Sequence, residues 1–136
     1  MKNFIDKKIF DYTLSKSSDE PEILKELNRE THLKILNPRM LSGNYQGRIL
    51  SLISKIIRPS SILEIGTYTG YSTICFSEGL DDNGFIHTID HNEELIDIQN
   101  KYFNKAGISK KVIQYTGAVS YTHLRAHETR QISYAV

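Results

Sequence analysis

Apolar positions in the first third of the chain recur at helical spacing. Phe4, Ile5, Ile9 and Phe10 predict an amphipathic helix over residues 3–15. Ser17-Ser18-Asp19-Glu20-Pro21 reads as the start of a second helix, with a capping residue and acids ahead of a proline that the first turn tolerates. That helix runs to about Leu36, and Asn37-Pro38 ends it because proline pushes the residue before it out of the helical region. A loop over residues 38–44 leads into a third helix, Gln46 to Ile57, with Ile49, Ile53, Ile56 and Ile57 on one face.

After Pro59 the pattern shortens. Ser61 to Ile65 is a β-rich apolar run, and Tyr71 to Glu78 mixes small and apolar residues as a helix packed on a sheet does. Gly79 closes this helix as a residue able to adopt the left-handed conformation at a helix end. Asp81-Asp82-Asn83-Gly84 is a turn, and Phe85 to Ile89 a second strand ending at Asp90. A helix and a turn between the two strands make the connection a parallel crossover and not a hairpin. Glu93 to Lys105 predicts another helix with Leu95, Ile98, Tyr102 and Phe103 inward and Gly107 as its stop, and Val112 to Tyr115 a third strand. Three helices followed by β-α-β-α-β make an α/β chain, half of a doubly wound sheet in the order 3-2-1.

Length and charge narrow the classes. A chain of 136 residues fits one domain, and 17 basic against 16 acidic residues give no field that would attract nucleic acid or an anionic membrane. The N-terminus reaches Asp6 too soon for a signal-peptide core, and no apolar run approaches a membrane span, so the expectation is a cytoplasmic protein. The single cysteine, Cys75, reads as a small core residue.

The chemistry concentrates in residues 61–73, where the first strand ends in Glu64-Ile65 and turns through Gly66 and Gly70 into a helix. A strand that enters a helix through glycines is where an open α/β sheet receives a nucleotide-like ligand. A dinucleotide fingerprint needs glycine at its first, third and sixth positions, which here are Gly66, Tyr68 and Tyr71. The Glu64 carboxylate would also repel a pyrophosphate and suit a cationic or hydroxyl-rich ligand. Asp90, at the end of the second strand, stands about where such folds place the acid that holds ribose hydroxyls; its other reading is a cap on the following turn. Ser42, taken alone, reads as a cap or turn residue. Tyr68 and Tyr71 read as packing residues around the turn, His91 as a surface residue, and His32 and His87 have no partner visible in the sequence.

The stretch Glu64-Ile65-Gly66-Thr67-Tyr68-Thr69-Gly70-Tyr71-Ser72 resembles the first motif of the class I S-adenosylmethionine-dependent O-methyltransferases, in its caffeoyl-CoA and catechol form. The lead-in Asn37-Pro38-Arg39-Met40-Leu41-Ser42-Gly43-Asn44-Tyr45-Gln46-Gly47 is similar to that of the bacterial members, and the likeness spans roughly residues 1–117. It implies a Rossmann-like methyltransferase fold, truncated after the third strand, with residues 1–58 as its helical lead-in and 59–118 as the first half of the sheet domain. It implies S-adenosyl-L-methionine as cofactor, with Glu64 and the Gly66-Thr67 backbone along the methionine side. Ser72 would hold the ligand carboxylate, Asp90 the ribose hydroxyls, and Ser42 would touch the cofactor from a loop lying over it. A hydroxyl-bearing small molecule is the implied acceptor, and a homodimer the implied assembly of the full-length protein. A divalent cation such as magnesium belongs to the metal-dependent branch, held after the fourth and fifth strands, so it concerns the full-length protein only. Catalytic residues are expected in that same missing half, which leaves the fragment able to bind cofactor weakly but not to turn over. The rival readings are a fragment of an NAD(P)-binding oxidoreductase and a non-catalytic cofactor-binding or dimerisation module.

From about Val119 the likeness stops. Residues 119–136 contain no glycine or proline, and Val119-Ser120-Tyr121-Thr122-His123-Leu124-Arg125-Ala126-His127 resembles the translation of a sequencing-adapter read-through, so a non-native tail is expected. His123 and His127 have the spacing of a zinc-protease pair but lack its glutamate, and read as chance.

Overall fold

A computed structural model of the chain describes residues 5–117; the tail at 119–136, with His123 and His127, lies outside them. Helix α1 (Lys7–Lys16) is capped by Asp6, whose side chain accepts the Lys8 N–H. It forms as its spacing predicts but buries no residue: Ile9 is exposed, and Phe10 leans on Tyr45 with ring centroids 5.4 Å apart. Helix α2 (Glu22–Lys34) buries Leu24, Leu27 and Thr31 and ends short of Leu36. Asn37 leaves the helical region through the left-handed one, φ 59°, and Pro38–Met40 add a 3₁₀ turn within the predicted loop. Helix α3 (Gly43–Ile57) begins earlier than its periodicity indicated.

The sheet is built from β1 (Ser61–Ile65), β2 (Phe85–Asp90) and β3 (Val112–Thr116), all parallel, with β2 in the centre. Helix α4 (Tyr71–Ser77) crosses from β1 to β2; a 3₁₀ turn at Glu93–Leu95 and helix α5 (Ile96–Lys105) cross from β2 to β3. This is the expected order 3-2-1 read from the other edge. In register, Ile62 aligns with Ile86 and Val112, and Glu64 with Thr88 and Gln114. Ile62, Glu64, Ile86 and Thr88 are buried, and this face carries the helices. The opposite face presents Ile65, Phe85, Ile113 and Tyr115, each more than a third exposed.

The core joins α2, α4, α5 and the sheet through Leu24, Leu27, Tyr71, Ile74, Ile86 and Phe103. Full burial of each large side chain contributes about 1.5–3 kcal/mol. All four residues predicted inward on the last helix, Leu95, Ile98, Tyr102 and Phe103, are buried, and so is Cys75. No described helix is long and apolar enough to cross a membrane.

The contact between α3 and α4 bears out one expectation in part and corrects another. Ile49, Ile53, Ile56 and Ile57 do share a face, but it points to solvent together with Leu52. The buried face is Gly47, Arg48, Leu50, Ser51 and Ser54. Gly79, in turn, does not take a left-handed conformation. A Cβ there would sit 2.2 Å from the Lys55 nitrogen and the Ser54 carbonyl carbon, so it is close approach to α3 that requires glycine.

Candidate functional site

Beyond Ile65 the chain turns through three residues in left-handed conformations: Gly66 at φ 97°, Tyr68 at 49° and Gly70 at 90°. The Gly66 N–H donates to the Ile89 carbonyl at 2.8 Å, so the turn continues the β1–β2 ladder before leaving it. A Cβ on Gly70 would meet the Phe103 ring at 2.6 Å, so both its φ and its surroundings demand glycine. Tyr68 has no such excuse. A non-glycine residue there costs roughly 1–2 kcal/mol, and persists only where surrounding contacts hold it.

Those contacts are specific. The Tyr68 N–H donates to Asp90 Oδ2 at 2.6 Å, and its carbonyl accepts from Gln99 Nε2 at 2.6 Å. Gln99 is buried, and its own Oε1 accepts from Gln114 at 2.7 Å. The Tyr68 hydroxyl faces the carbonyls of Leu36 and Asn37 at 3.3 and 3.2 Å and shares its one hydrogen between them. Asp90 Oδ1 accepts the Asn92 N–H at 2.9 Å, so each carboxylate oxygen carries one backbone donor and keeps further acceptor capacity. The turn-capping reading of Asp90 and its ligand reading are therefore compatible in geometry.

Glu64 stands on the helix-facing side of β1 and is 4% exposed. Its Oε1 accepts from Ser72 Oγ at 2.5 Å, and its Oε2 from Thr73 at 2.5 Å and Thr88 at 2.7 Å. Thr88 spends its hydrogen on Glu64, so Thr67, 2.6 Å away, donates to Thr88. Burial pushes the Glu64 carboxyl above its usual range, and these hydroxyls oppose that shift.

A cleft of about 1050 Å³ opens beside the turn. Gly66, Tyr68 and Asp90 to Asn92 line one side, and Lys34 to Asn37 with Met40 line the other. Of the six residues expected from the sequence to contact a cofactor, Gly66 and Asp90 line this cleft. Glu64, Thr67 and Ser72 are joined in the hydroxyl cluster at the start of α4, and Ser42 sits at the entry of α3 with no capping hydrogen bond. His91 is exposed, its Nδ1 3.6 Å from Asp90. His32 does have a partner, the Asn28 carbonyl at 2.9 Å, and His87 pairs with the Tyr115 hydroxyl at 3.0 Å. Sequence reasoning missed the polar role of Tyr68 and the part of Gln99. A bulky residue between two turn glycines was the one signal available for the first, and nothing marked the second.

The family model described as O-methyltransferase matches residues 14–125. The chain belongs to the O-methyltransferase family. The caffeoyl-CoA O-methyltransferase of Pinus taeda is 39% identical over 93 residues, covering 68% of this chain and 36% of that protein. The one from Petroselinum crispum is 36% identical over the same length, covering 68% and 38%. Among solved structures, the SAH-bound methyltransferase PaMTH1 of Podospora anserina superposes with a TM-score of 0.78 at 25% identity, covering 95% of this chain and 57% of that one. The O-methyltransferase of Bacillus cereus in complex with SAH gives 0.73 at 25% identity, covering 91% and 56%. This family member thus spans little more than a third of its curated relatives and a little over half of the solved ones.

Proposed function

We propose that the protein is an S-adenosylmethionine-dependent O-methyltransferase acting in the cytoplasm on a hydroxyl of a small-molecule acceptor. The observation that carries this reading is the Asp90 carboxylate on the cleft wall beside the left-handed Gly66 turn. Two backbone N–H groups fix its oxygens, and the acceptor capacity left over matches a ribose diol. The cleft, about 1050 Å³, has room for such a ligand.

S-adenosylmethionine supplies an electrophilic methyl on a sulfonium. This chain's residues supply position. Asp90 accepts from the ribose hydroxyls. The Gly66-Thr67 backbone borders the methionine end, with the Glu64–Ser72 pair beneath the start of α4, and Ser42 approaches from the lead-in to α3. The described residues hold no cluster of three or more His, Cys, Asp or Glu side chains, so a divalent cation in the whole protein would draw its ligands from elsewhere. The acceptor wall and the groups that prepare the acceptor hydroxyl likewise belong to the remainder of a full-length enzyme, which acts as a homodimer. The chain alone binds cofactor weakly and does not turn over.

Calorimetry decides the reading. S-adenosylhomocysteine titrated into the chain should give a saturable heat that NAD does not, and Asp90→Ala should weaken binding at least tenfold, as loss of a charge-assisted hydrogen bond does. Heat from NAD alone would favour the oxidoreductase reading. No heat from either ligand, with a folded circular dichroism spectrum, would overturn both.

A further inference from the structure

Residues 36–40 form the far wall of the cleft, yet little holds them there. Leu36 and Met40 are 87% and 65% exposed, while the flanking Ile35 and Leu41 pack on the core. The bonds from Met40 N–H to Asn37 and from Leu41 N–H to Pro38 are local and fix only the shape of the 3₁₀ turn. Among the described residues, the hydrogen bonds reaching this segment from across the cleft are those of the Tyr68 hydroxyl to Leu36 and Asn37. Asn37 and Tyr68 are both non-glycine residues in the left-handed region, so the two bent points of the cleft wall are tied to each other.

We propose that Tyr68 is a positioning residue of the cleft. Its phenol latches residues 36–40 over the bound ligand, while its main chain aims the Asp90 carboxylate. The two tasks share one backbone: the strained φ at Tyr68 points the N–H at Asp90 and, with the carbonyl held by Gln99, sends the ring toward Leu36 and Asn37. A ligand seated on Asp90 therefore lies under a wall whose opening is controlled from the same residue. The latch stands on the geometry alone; its effect on ligand release rests on the cofactor reading above.

Tyr68→Phe removes the hydroxyl and leaves the main-chain bonds to Asp90 and Gln99 in place. Arg39 is exposed within the latched segment and gives a ligand-free readout, because trypsin cuts locally opened segments in proportion to their open population. In Tyr68→Phe, cleavage after Arg39 should be about fivefold faster, the loss expected for one ordinary hydrogen bond. Cleavage after Lys16 and the urea midpoint should stay as in the wild type. S-adenosylhomocysteine should dissociate about fivefold faster from the variant, with its association rate changed less than twofold. Unchanged cleavage after Arg39 overturns the latch. Faster cleavage with unchanged dissociation overturns its part in ligand retention. If the wild type binds no S-adenosylhomocysteine but the variant is still cut faster, the latch stands and the cofactor reading falls.

Discussion

Arg48 on α3 and Glu78 at the end of α4 form a bidentate ion pair, Nη2 to Oε1 at 2.6 Å and Nη1 to Oε2 at 3.2 Å. Ser51 and Lys55 donate to the same Glu78 oxygen at 2.6 and 2.7 Å. Arg48 is buried and its Nε has no partner, so the guanidinium depends on Glu78. Glu78→Gln leaves that charge unpaired and should lower stability by about 2–3 kcal/mol in urea unfolding. Adding Arg48→Met should recover at least half of the loss, because an apolar side chain of similar length needs no partner. A double variant weaker than Glu78→Gln would show that Arg48 contributes through packing and not through the pair.

Glu78, together with Glu30 on α2, sets an acid limit. Burial pushes the Glu78 carboxyl up, but hydrogen bonds from Arg48, Lys55 and Ser51 outweigh it and hold it at about 2. Hydrogen bonds from Lys101, Lys34 and Tyr102 hold Glu30 at about 2 as well, against burial. Both pKa values lie below those of the unfolded chain, so the unfolded state binds more protons and stability rises with pH. Their contribution is complete above about 4.5 and lost as pH falls toward about 2. Glu64 has the opposite sign: its pKa is raised, so what it adds is present in acid and declines as pH rises through its raised value. Urea midpoints measured from pH 2 to 5 should climb, and the climb should flatten in Glu30→Gln and Glu78→Gln.

Strands, crossovers and the glycine turn were legible because each rests on local chemistry: β1 as an apolar run after Pro59, β2 ending at Asp90, α5 by its 3.6-residue spacing. The inner face of α3 was not. Periodicity reveals that Ile49, Ile53, Ile56 and Ile57 lie together, but not whether the partner surface is present in the chain. Here the partner of α3 is α4, and the two meet through small residues and an ion pair, a contact whose signal is spread over positions 47–79. At the site, Asp90 could be placed from strand logic, whereas the hydroxyls on Glu64 come from two elements, α4 and β2, that only folding brings together. Gln99 lies 31 residues from Tyr68, and nothing local announces their bond.

Gly79 and Gly107 separate two reasons for glycine. Gly107 has φ 70° and nothing within 4 Å of a Cβ, so Gly107→Ala should cost only the left-handed penalty, about 1 kcal/mol. At Gly79 a methyl would meet the α3 backbone at 2.2 Å, and backbone cannot rotate away as a flexible side chain can. Gly79→Ala should therefore cost about 3 kcal/mol, with a midpoint lower by roughly 10 °C in thermal unfolding. Equal losses at the two sites would mean that α3 slides away from α4 without resistance.

The outward row of α3, Ile49, Leu52, Ile53, Ile56 and Ile57, has the i, i+3, i+4, i+7, i+8 spacing of a packing stripe, and each member is at least 41% exposed. A stripe so regular buries apolar area at little cost when two chains meet, and exposed patches of this kind mark association surfaces. The chain should therefore sediment as a concentration-dependent oligomer. Leu52→Lys with Ile56→Lys should shift it toward monomer while leaving the urea midpoint within about 0.5 kcal/mol, since neither side chain is buried. The open sheet face offers a second route, through Ile113 and Tyr115. If the α3 pair leaves sedimentation unchanged and Ile113→Lys disperses the oligomer, association runs through the sheet, because apolar area and not helix geometry would then set the contact.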